Sequence, residues 1–295
     1  MLSTYRKHQP IFQVLLGAFM ISFSAVFVKL AQVSPTTSGF YRVFFGSIFL
    51  LLCTGYQRQI TRLSAVQIFL VILCGLAFAL DLFFWHESIM YIGPGLATLL
   101  SNFQVFLLTA AGFIFLGEKL KPRFLAAIPL AVIGLLLIVG FQWGSLDTNY
   151  KTGIYFGLLT AVCYAIFLLS MRKIQMQNAH SHFFLLLLVS VVSSIFLGLK
   201  MIHAGDSFAI PDSTTLMSLL GLGLFSQTIG WVFIATAMPK IRASLTGLVL
   251  LLQPTLSFLW DVTFFSRPTD ALNWIGVLLT LSAIYMGLTG QGNKR

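Results

Sequence analysis

The sequence predicts an all-α integral membrane protein with ten transmembrane helices arranged as two inverted five-helix repeats. Hydrophobic residues make up 58% of the 295 residues, charged residues make up only 9%, and the mean hydropathy is +0.92. A soluble domain carries about 25% charged residues, so this chain has too few charges to cover a water-exposed surface. Lipid is therefore the expected solvent for most of the chain.

Ten apolar runs of about 20 residues, the length that crosses a bilayer, follow one another along the chain. We predict helices over 11–31, 37–55, 66–90, 94–117, 123–141, 152–171, 182–202, 214–238, 243–265 and 271–289. Turn-forming residues separate several of them, as at 34–39 and 92–95. The first run exceeds the roughly 7–15 residues of a cleavable signal sequence, so we expect it to be retained as a helix.

The basic residues predict the orientation. If the N-terminus is cytoplasmic, four of the eighteen lysines and arginines lie on the opposite side and one, Arg42, lies within the second helix. The other thirteen are cytoplasmic: Arg6, Lys7, Arg58, Arg62, Lys119, Lys121, Arg123, Arg172, Lys173, Lys240, Arg242, Lys294 and Arg295. The positive-inside rule then places both termini in the cytoplasm.

Internal similarity predicts two halves, 1–145 and 146–295. A shift of 149 residues aligns Gln104 with Gln253 and several apolar residues, including Phe84 with Phe233. Because each half has an odd number of helices, the halves are expected to cross the membrane in opposite senses. Inverted repeats are typical of alternating-access transporters, whose substrate site lies near the midplane.

Composition and motifs argue against other classes of protein. The net charge of +10 comes from basic residues in short gaps between apolar runs, which does not indicate a nucleic-acid-binding surface. Cys53, Cys74 and Cys163 lie inside apolar runs, without metal or disulfide spacing. No cofactor and no metal site are expected. The hydrolase motifs GxSxG and HExxH are absent from the sequence, which argues against an intramembrane enzyme.

Asp81 lies near the middle of the third predicted helix. An ionisable group in a bilayer is a functional candidate by default. At 100° per residue, Asp81, Trp85 and Ser88 occupy one sector of about 60°, so an acid, an indole and a hydroxyl share one face. We interpret this face as a substrate-binding wall, with Asp81 as an amine anchor or a proton carrier. The alternative is a structural pair between Asp81 and a neighbouring helix.

Further candidates for substrate binding lie in other helices. Gln227 and Trp231 share a face of the eighth helix, and Gln104, Gln253 and Tyr164 lie in the fourth, ninth and sixth. An amide donates and accepts hydrogen bonds, and an indole adds flat apolar area and one donor. Together they suit an amino-acid-like or aromatic metabolite. The alternative is that these amides stabilise helix packing.

A second group could form a gate or a proton relay. His86 and Glu87 point away from the Asp81 face, and Asp261 lies in the ninth helix. Arg42, near the end of the second helix, is expected to extend to the lipid headgroups. The alternative is that Arg42 pairs with Asp261.

Several motifs resemble those of a known family. The segment LGEKL at 116–120 follows a helix pair, the second half carries MPK at 238–240 and LLLQP at 250–254, and the second helix contains FYR at 40–42. Over essentially the whole chain the sequence resembles two EamA domains of the drug/metabolite transporter superfamily. It departs from the pattern where Ser266-Arg267 replaces the Gly117-Glu118 pair of the first half.

The resemblance implies a secondary transporter that moves small metabolites such as amino acids, often outward, across the cell inner (plasma) membrane. The expected partners are a small-molecule substrate and the lipid bilayer, with proton coupling left open and the oligomeric state not indicated. The alternative is a non-transporting receptor or assembly scaffold. Such a protein would lack a polar midplane cavity and would tolerate the loss of Asp81.

Overall fold

A computed structural model describes residues 2–57, 62–139, 148–176 and 181–289. In this part of the chain ten helices are long and apolar enough to cross a membrane, which confirms the predicted all-α architecture and number of spans. They are α1 Gln9–Leu30, α2 Pro35–Gln57, α3 Ala65–Ile92, α4 Gly95–Leu116, α5 Pro122–Val139, α6 Asn149–Met176, α7 His182–Ala204, α8 Ser213–Lys240, α9 Ala243–Phe265 and α10 Ala271–Thr289. The predicted boundary between the halves, at 145/146, the predicted end of the fifth helix and the basic residues Arg58, Lys294 and Arg295 lie outside the described residues.

Helices α3 and α4 form a hairpin with a helical connection. A capping box begins α3, since the Ser64 hydroxyl accepts from the amide of Gln67 at 3.3 Å. Helical backbone then continues over Ala65–Ser101. However, Trp85 Nε1 donates to Thr98 Oγ1 at 3.1 Å, although the two residues are 13 apart in sequence. A straight helix would separate them by about 20 Å. The chain therefore reverses direction between them, where the sequence predicts a turn.

Helices α4 and α9 share two irregularities. Both are interrupted in their middle, α4 at Asn102 and α9 at Leu251. Both end on a left-handed residue, Gly117 with φ 63° and Ser266 with φ 49°. The two interruptions are 149 residues apart, and so are the two left-handed residues. This is the shift that aligns Gln104 with Gln253 in the sequence. The backbone thus repeats between the two halves.

Helix packing follows the same repeat. Helices α2 and α7, α4 and α9, and α5 and α10 pack together in equivalent pairs. The backbones of α5 and α10 approach closely: a Cβ added to Gly134 would lie 2.7 Å from the carbonyl oxygen of Gly276. Buried small residues line it at positions related by 149, namely Ala127, Ala131 and Gly134 in α5 and Gly276, Thr280 and Ala283 in α10. Small side chains let membrane helices approach closely, which fixes the crossing point of the two helices.

Candidate functional site

Polar side chains from five helices meet at mid-depth in the bundle. We call this group the central cluster: Arg42 of α2, Asp81 of α3, Tyr164 of α6, Gln227 and Trp231 of α8 and Gln253 of α9. Asp81, Gln227 and Trp231 are buried, with exposed fractions of 8%, 1% and 1%. The other three, Arg42, Tyr164 and Gln253, are partly buried, so the whole group lies inside the bundle.

Arg42 points into the bundle. Its Nε donates to Gln227 Oε1 at 3.2 Å, and its guanidinium carbon lies 5.6 Å from the centre of the Phe78 ring. Gln227 in turn donates through Nε2 to Ser190 Oγ of α7 at 3.0 Å. The expectation that Arg42 extends to the headgroups is therefore wrong. An amide oxygen and an aromatic face in the interior replace the water that it would have found at the surface.

A local distortion of α8 positions Gln227. Residues Leu222–Gly230 form a π-helical segment within the span. The hydroxyl of Thr228 donates to the carbonyl oxygen of Gly223 at 2.9 Å, five residues earlier. A π-helical segment changes the direction in which side chains leave a helix, and such segments occur frequently at functional sites.

Asp81 has no hydrogen bond and no ion pair among the residues that the structure describes. It interacts electrostatically with Arg42 and Tyr164, which face it from neighbouring helices. The Arg42–Asp81 separation is too large for an ion pair. A buried carboxylate without a bonded partner costs several kcal/mol, so Asp81 is the least satisfied group of the cluster.

Aromatic rings form one side of the cluster. Trp231 lies 4.7 Å from Phe167, 5.8 Å from Phe78 and 6.4 Å from Tyr164, measured between ring centres. We call these four residues the aromatic wall. Trp231 Nε1 is buried and finds no acceptor in the described part of the chain. Burying a donor without a partner costs free energy, so this indole N–H is an unsatisfied group of the cluster.

The two aligned glutamines also retain free polar atoms. Gln253 faces the Tyr164 hydroxyl in a geometry looser than a normal hydrogen bond, and its Nε2 has no bonded partner among the described residues. Gln104 donates through Nε2 to the carbonyl oxygen of Gly247 at 3.3 Å, whereas its Oε1 is buried without a donor there. Gln253 therefore belongs to the central cluster, and Gln104 mainly connects α4 to α9.

Two of the predicted wall residues are engaged in helix packing. The Trp85 indole is bonded to Thr98 within the α3–α4 hairpin. Ser88 is fully buried and donates to the carbonyl oxygen of Gly153 of α6 at 2.8 Å. Of the three residues on the predicted face, only Asp81 keeps its polar group free.

His86 and Glu87 lie beyond Asp81 along α3. The His86 ring is buried, packs directly on Gly39 of α2 and stands 5.2 Å from the Trp85 ring. Its Nδ1 has no partner in the described regions. Glu87 is half-buried and makes no hydrogen bond to a described residue. His86 is therefore placed between the central cluster and the end of α3.

One end of the bundle, which we call the Asp261 end, is closed by ion pairs. Asp261 contacts Lys29 of α1 at 2.8 Å and Arg267 at 3.8 Å. These side chains are partly exposed, at 49% for Lys29, 33% for Arg267 and 20% for Asp261. The alternative that Arg42 pairs with Asp261 is wrong, because Arg42 is bonded to Gln227 instead.

The opposite end, which we call the Glu118 end, is closed by buried hydrogen bonds that were not predicted. The Glu118 carboxylate accepts from the backbone N–H of Ala243 at 2.6 Å, from that of Ser244 at 3.3 Å and from the Ser244 hydroxyl. Nearby, Arg172 of α6 donates to the carbonyl oxygens of Met238, at 2.7 Å, and Ile241. Glu118 appears in the sequence only as part of LGEKL, and its partner lies 125 residues away.

The cluster offers charges, amides and aromatic faces in a shielded place, and both ends of the bundle are closed around it. No group of His, Cys, Asp and Glu that could hold a metal ion occurs in the described residues. Charged groups, amides and aromatic rings are the groups with which proteins bind small polar molecules that have a flat apolar part.

Comparisons with known proteins give the family of the chain. The EamA-like transporter family matches residues 9–140 and 151–289. The pseudopaline exporter CntI of Pseudomonas aeruginosa is 26% identical over 282 residues, covering 94% of this chain and 95% of that protein. Probable amino-acid metabolite efflux pumps of Salmonella typhimurium and Escherichia coli are 23% and 24% identical, covering 68% and 66% of this chain and 69% and 68% of their own.

A solved crystal structure also resembles the chain, with a TM-score of 0.81 and 15% identity over 95% of this chain and 97% of that one. That likeness shows the fold alone. The family match covers both halves of the chain and nearly all of its length. The chain therefore belongs to the EamA-like transporter family, as a multi-pass membrane transporter and not an enzyme.

Proposed function

We propose that the protein exports small amino-acid-derived metabolites by alternating access around the central cluster. The observation that carries this proposal is a set of polar groups at mid-depth that make no hydrogen bond to a described residue: the Asp81 carboxylate, the Trp231 indole N–H and Gln253 Nε2. A scaffold would have no reason to keep such groups buried, because each costs stability. A transported molecule would satisfy them transiently.

The proposed topology has two inverted five-helix repeats, 1–145 and 146–295. It places the protein in the cell inner (plasma) membrane with both termini in the cytoplasm. The repeated irregularities of α4 and α9 support the duplication. The basic residues support the orientation, since thirteen of the eighteen lysines and arginines then lie on the cytoplasmic side. In this orientation the Glu118 end is cytoplasmic and the Asp261 end is external.

The contacts at the two ends support alternating access. Substrate entry requires the Glu118 end to open, and release requires the Asp261 end to open. Each end carries a small set of polar contacts that could break and re-form as that end opens and closes. Asp81 and Glu87 are the acids that would carry a coupled proton, and His86, further along α3 than Asp81, would form part of the gate or relay.

The relatives support the substrate class and the direction. The proteins named above are an exporter of pseudopaline and probable efflux pumps for amino-acid metabolites. The free amides and the aromatic wall of the central cluster fit a small molecule with hydrogen-bonding groups and a flat apolar part.

The test is exchange in proteoliposomes. Purified protein would be reconstituted with each of the labelled proteinogenic amino acids inside, and exchange for the unlabelled compound would be followed with and without a pH gradient. We expect saturable exchange for at least one compound and a loss of roughly tenfold or more in Asp81→Asn, because this change removes the only free carboxylate of the described cluster. Asp206→Asn is the matched control, since Asp206 lies outside the spans next to Lys200.

The outcomes are distinguishable. Exchange that a pH gradient accelerates, and that Asp81→Asn removes, supports a proton-coupled carrier with Asp81 in the pathway. Exchange that is equal in the native protein and in Asp81→Asn removes Asp81 from the mechanism. If no compound is exchanged by protein that elutes as a single folded species, the amino-acid class is contradicted.

A further inference from the structure

A groove opens on the side of the bundle between α2 and α8. It has a volume of about 380 Å³, and residues of three helices line it, among them Leu52 and Cys53 of α2, Phe183 of α7, and Leu224 and Phe233 of α8. Leu52 lies at its mouth, since this residue is 65% exposed on the surface of the bundle. All of the lining residues belong to membrane spans, so the groove opens into the lipid.

The groove lies beside a close crossing of the two helices. A Cβ added to Gly223 of α8 would lie 2.9 Å from the backbone nitrogen of Gly46 of α2, so the two backbones touch at mid-depth. From this crossing towards the Glu118 end, the groove separates the helices. The π-helical segment, Leu222–Gly230, supplies three of the lining residues of α8. The distortion that positions Gln227 therefore also shapes the groove.

The lining of the groove is apolar. Seven of its nine residues are Phe, Leu, Ile or Val, and the other two are Cys53 and Thr228. The Thr228 hydroxyl is already used, since it donates to the carbonyl oxygen of Gly223 at 2.9 Å. A free thiol behaves as a small apolar group. Water does not fill apolar cavities, so the occupant that fits this lining is a hydrocarbon chain.

The dimensions of the groove match one leaflet of a bilayer. From Leu224 to Phe233 the chain advances nine residues, which is about 13 Å along a helix. Half of the hydrocarbon core of a bilayer is about 15 Å thick. Because Leu224 lies near the middle of α8, the groove runs from the midplane through the leaflet at the Glu118 end. A lipid chain in that leaflet follows the same path.

A basic residue stands where the headgroup of such a lipid would lie. Lys240 ends α8 seven residues beyond Phe233, which is about 10 Å further along the helix. It is exposed, and it takes no part in the three ion pairs that the described residues form. Lysines at the edge of a span attract anionic lipid headgroups.

We propose that the groove binds one acyl chain of an anionic phospholipid from the leaflet at the Glu118 end, with the headgroup at Lys240. The chain lies against the crossing that supports the central cluster, because a Cβ added to Gly46 would lie 2.3 Å from Cγ of Gln227, the partner of Arg42. The lipid site itself is separate from the cluster, so it does not depend on which molecule the protein transports.

The experiment is photocrosslinking in a bilayer. The full chain would be reconstituted into phosphatidylcholine nanodiscs that contain a small fraction of phosphatidylglycerol with a diazirine midway along one acyl chain. After illumination, mass spectrometry of peptides locates the labelled residues. We expect label on both walls of the groove, at Cys53 and Val232, roughly fivefold or more above that at Ile195 of α7, which is lipid-exposed outside the groove.

Variants distinguish the groove from the rest of the lipid-facing surface. Cys53→Trp fills it from α2 and Val232→Trp fills it from α8, and each should remove the label from the opposite wall. Leu51→Trp is the matched control, since Leu51 is 53% exposed next to Leu52 but does not line the groove, and it should leave the label unchanged.

The headgroup is tested by a second probe, phosphatidylcholine that carries the same diazirine. The native protein should favour the anionic probe roughly fivefold, the effect of one lysine near a membrane surface. Lys240→Gln should abolish this preference, while both probes continue to label the groove. Equal labelling by the two probes in the native protein would overturn the assignment of the headgroup to Lys240.

Two results would overturn the acyl-chain site. Equal labelling of the groove and of Ile195 would show only the ordinary lipid that surrounds the bundle. Unchanged labelling of the opposite wall in Cys53→Trp or Val232→Trp, in protein that elutes as a single folded species, would show that the chain does not enter the groove. The two variants act from different helices, so one folded variant is enough. Loss of transport with intact labelling would contradict the proposed function and leave the lipid site standing.

Discussion

Helices α4 and α9 are equivalent by the repeat, yet their ends are fastened in opposite ways. Both helices end on a left-handed residue, and in both the following N–H bonds to a carbonyl six residues earlier, Glu118 to Gly112 at 2.9 Å and Arg267 to Asp261 at 3.3 Å. The backbone is therefore the same at the two ends. The side chains differ in charge, since the position of the acidic Glu118 in the first half is occupied by the basic Arg267 in the second.

The exchange of charge matches the helix end that each side chain meets. Glu118 lies at the N-terminus of α9, where free N–H groups and the helix dipole favour a negative charge. Arg267 donates through Nη2 to the carbonyl oxygen of Ile138, in the last turn of α5, where a positive charge is favoured. Glu118 and Arg267 thus each carry the charge that is favoured at the helix end they contact.

The residue six positions before Glu118, and the one six positions before Arg267, also suit the charge that follows them. A Cβ on Gly112 would lie 2.6 Å from Glu118 Oε2, so a glycine is needed for the carboxylate to fit. Its equivalent in α9 is Asp261, whose side chain pairs with Lys29 and Arg267. Buried hydrogen bonds to a carboxylate are worth more than half-exposed ion pairs, so the Asp261 end is expected to open more easily than the Glu118 end.

The largest effect is expected from Glu118→Ala. The change leaves the N–H groups of Ala243 and Ser244 buried without an acceptor and removes a favourable charge from the helix N-terminus. We expect the free energy of unfolding to fall by about 2–3 kcal/mol. Thermal unfolding in detergent, followed by intrinsic fluorescence, measures the change as a lower melting temperature.

Two further variants test whether the carboxylate is the cause. Glu118→Gln keeps one acceptor oxygen and should show a smaller loss than Glu118→Ala. Gly112→Ala pushes the carboxylate away from α9, so its effect should not add to that of Glu118→Ala in the double variant. Additive losses, or an unchanged melting temperature in Glu118→Ala, would show that the Glu118 contacts do not stabilise the closed end.

An intermediate effect is expected from Arg267→Glu, which gives the second half the charge of the first. The new carboxylate would face Asp261 and the carbonyl oxygen of Ile138, so attraction becomes repulsion. Because these side chains are partly exposed, we expect a loss of about 1 kcal/mol, which should shrink as salt is added. The measurement is the melting temperature at low and high salt, with Arg62→Gln as control. A loss as large as that of Glu118→Ala would reverse the ranking of the two ends.

The general architecture could be predicted from the sequence because it follows from local patterns. Apolar length gave the ten spans, and the Gly93-Pro94 pair marked the reversal between α3 and α4. The alignment of Gln104 with Gln253 identified a shift that the irregularities of α4 and α9 share. These signals are visible in the order of residues along the chain, so they need no knowledge of the folded structure.

The central cluster could be predicted only in part because it depends on distant partners. Asp81, Gln227 and Trp231 were found from their polarity and depth. Arg42 was expected at the surface, because its partner Gln227 lies 185 residues away and is directed by an unforeseen π-helical segment. Helix periodicity likewise placed Ser88 with Asp81 but could not show that Gly153 of α6 would take its hydrogen bond.

The smallest change in the free energy of unfolding is expected from exchanging the left-handed residues at the ends of α4 and α9. Gly117 and Ser266 both have positive φ, which costs a residue with a side chain about 1–2 kcal/mol and costs glycine nothing. Replacing glycine also reduces the freedom of the unfolded chain, which offsets part of this strain, so Gly117→Ser should destabilise the protein by about 0.5 kcal/mol. Ser266→Gly should stabilise it by about 0.5 kcal/mol, since glycine also gains freedom in the unfolded chain.

Packing does not complicate this pair of changes. A Cβ at Gly117 would meet no atom within 4 Å, and Ser266 is exposed, so each substitution alters little besides the backbone preference. The melting temperatures of the two variants should move in opposite directions from that of the native protein. If both fall, side-chain contacts at these positions outweigh the strain, and the equivalence of the two helix ends would then be limited to their backbone path.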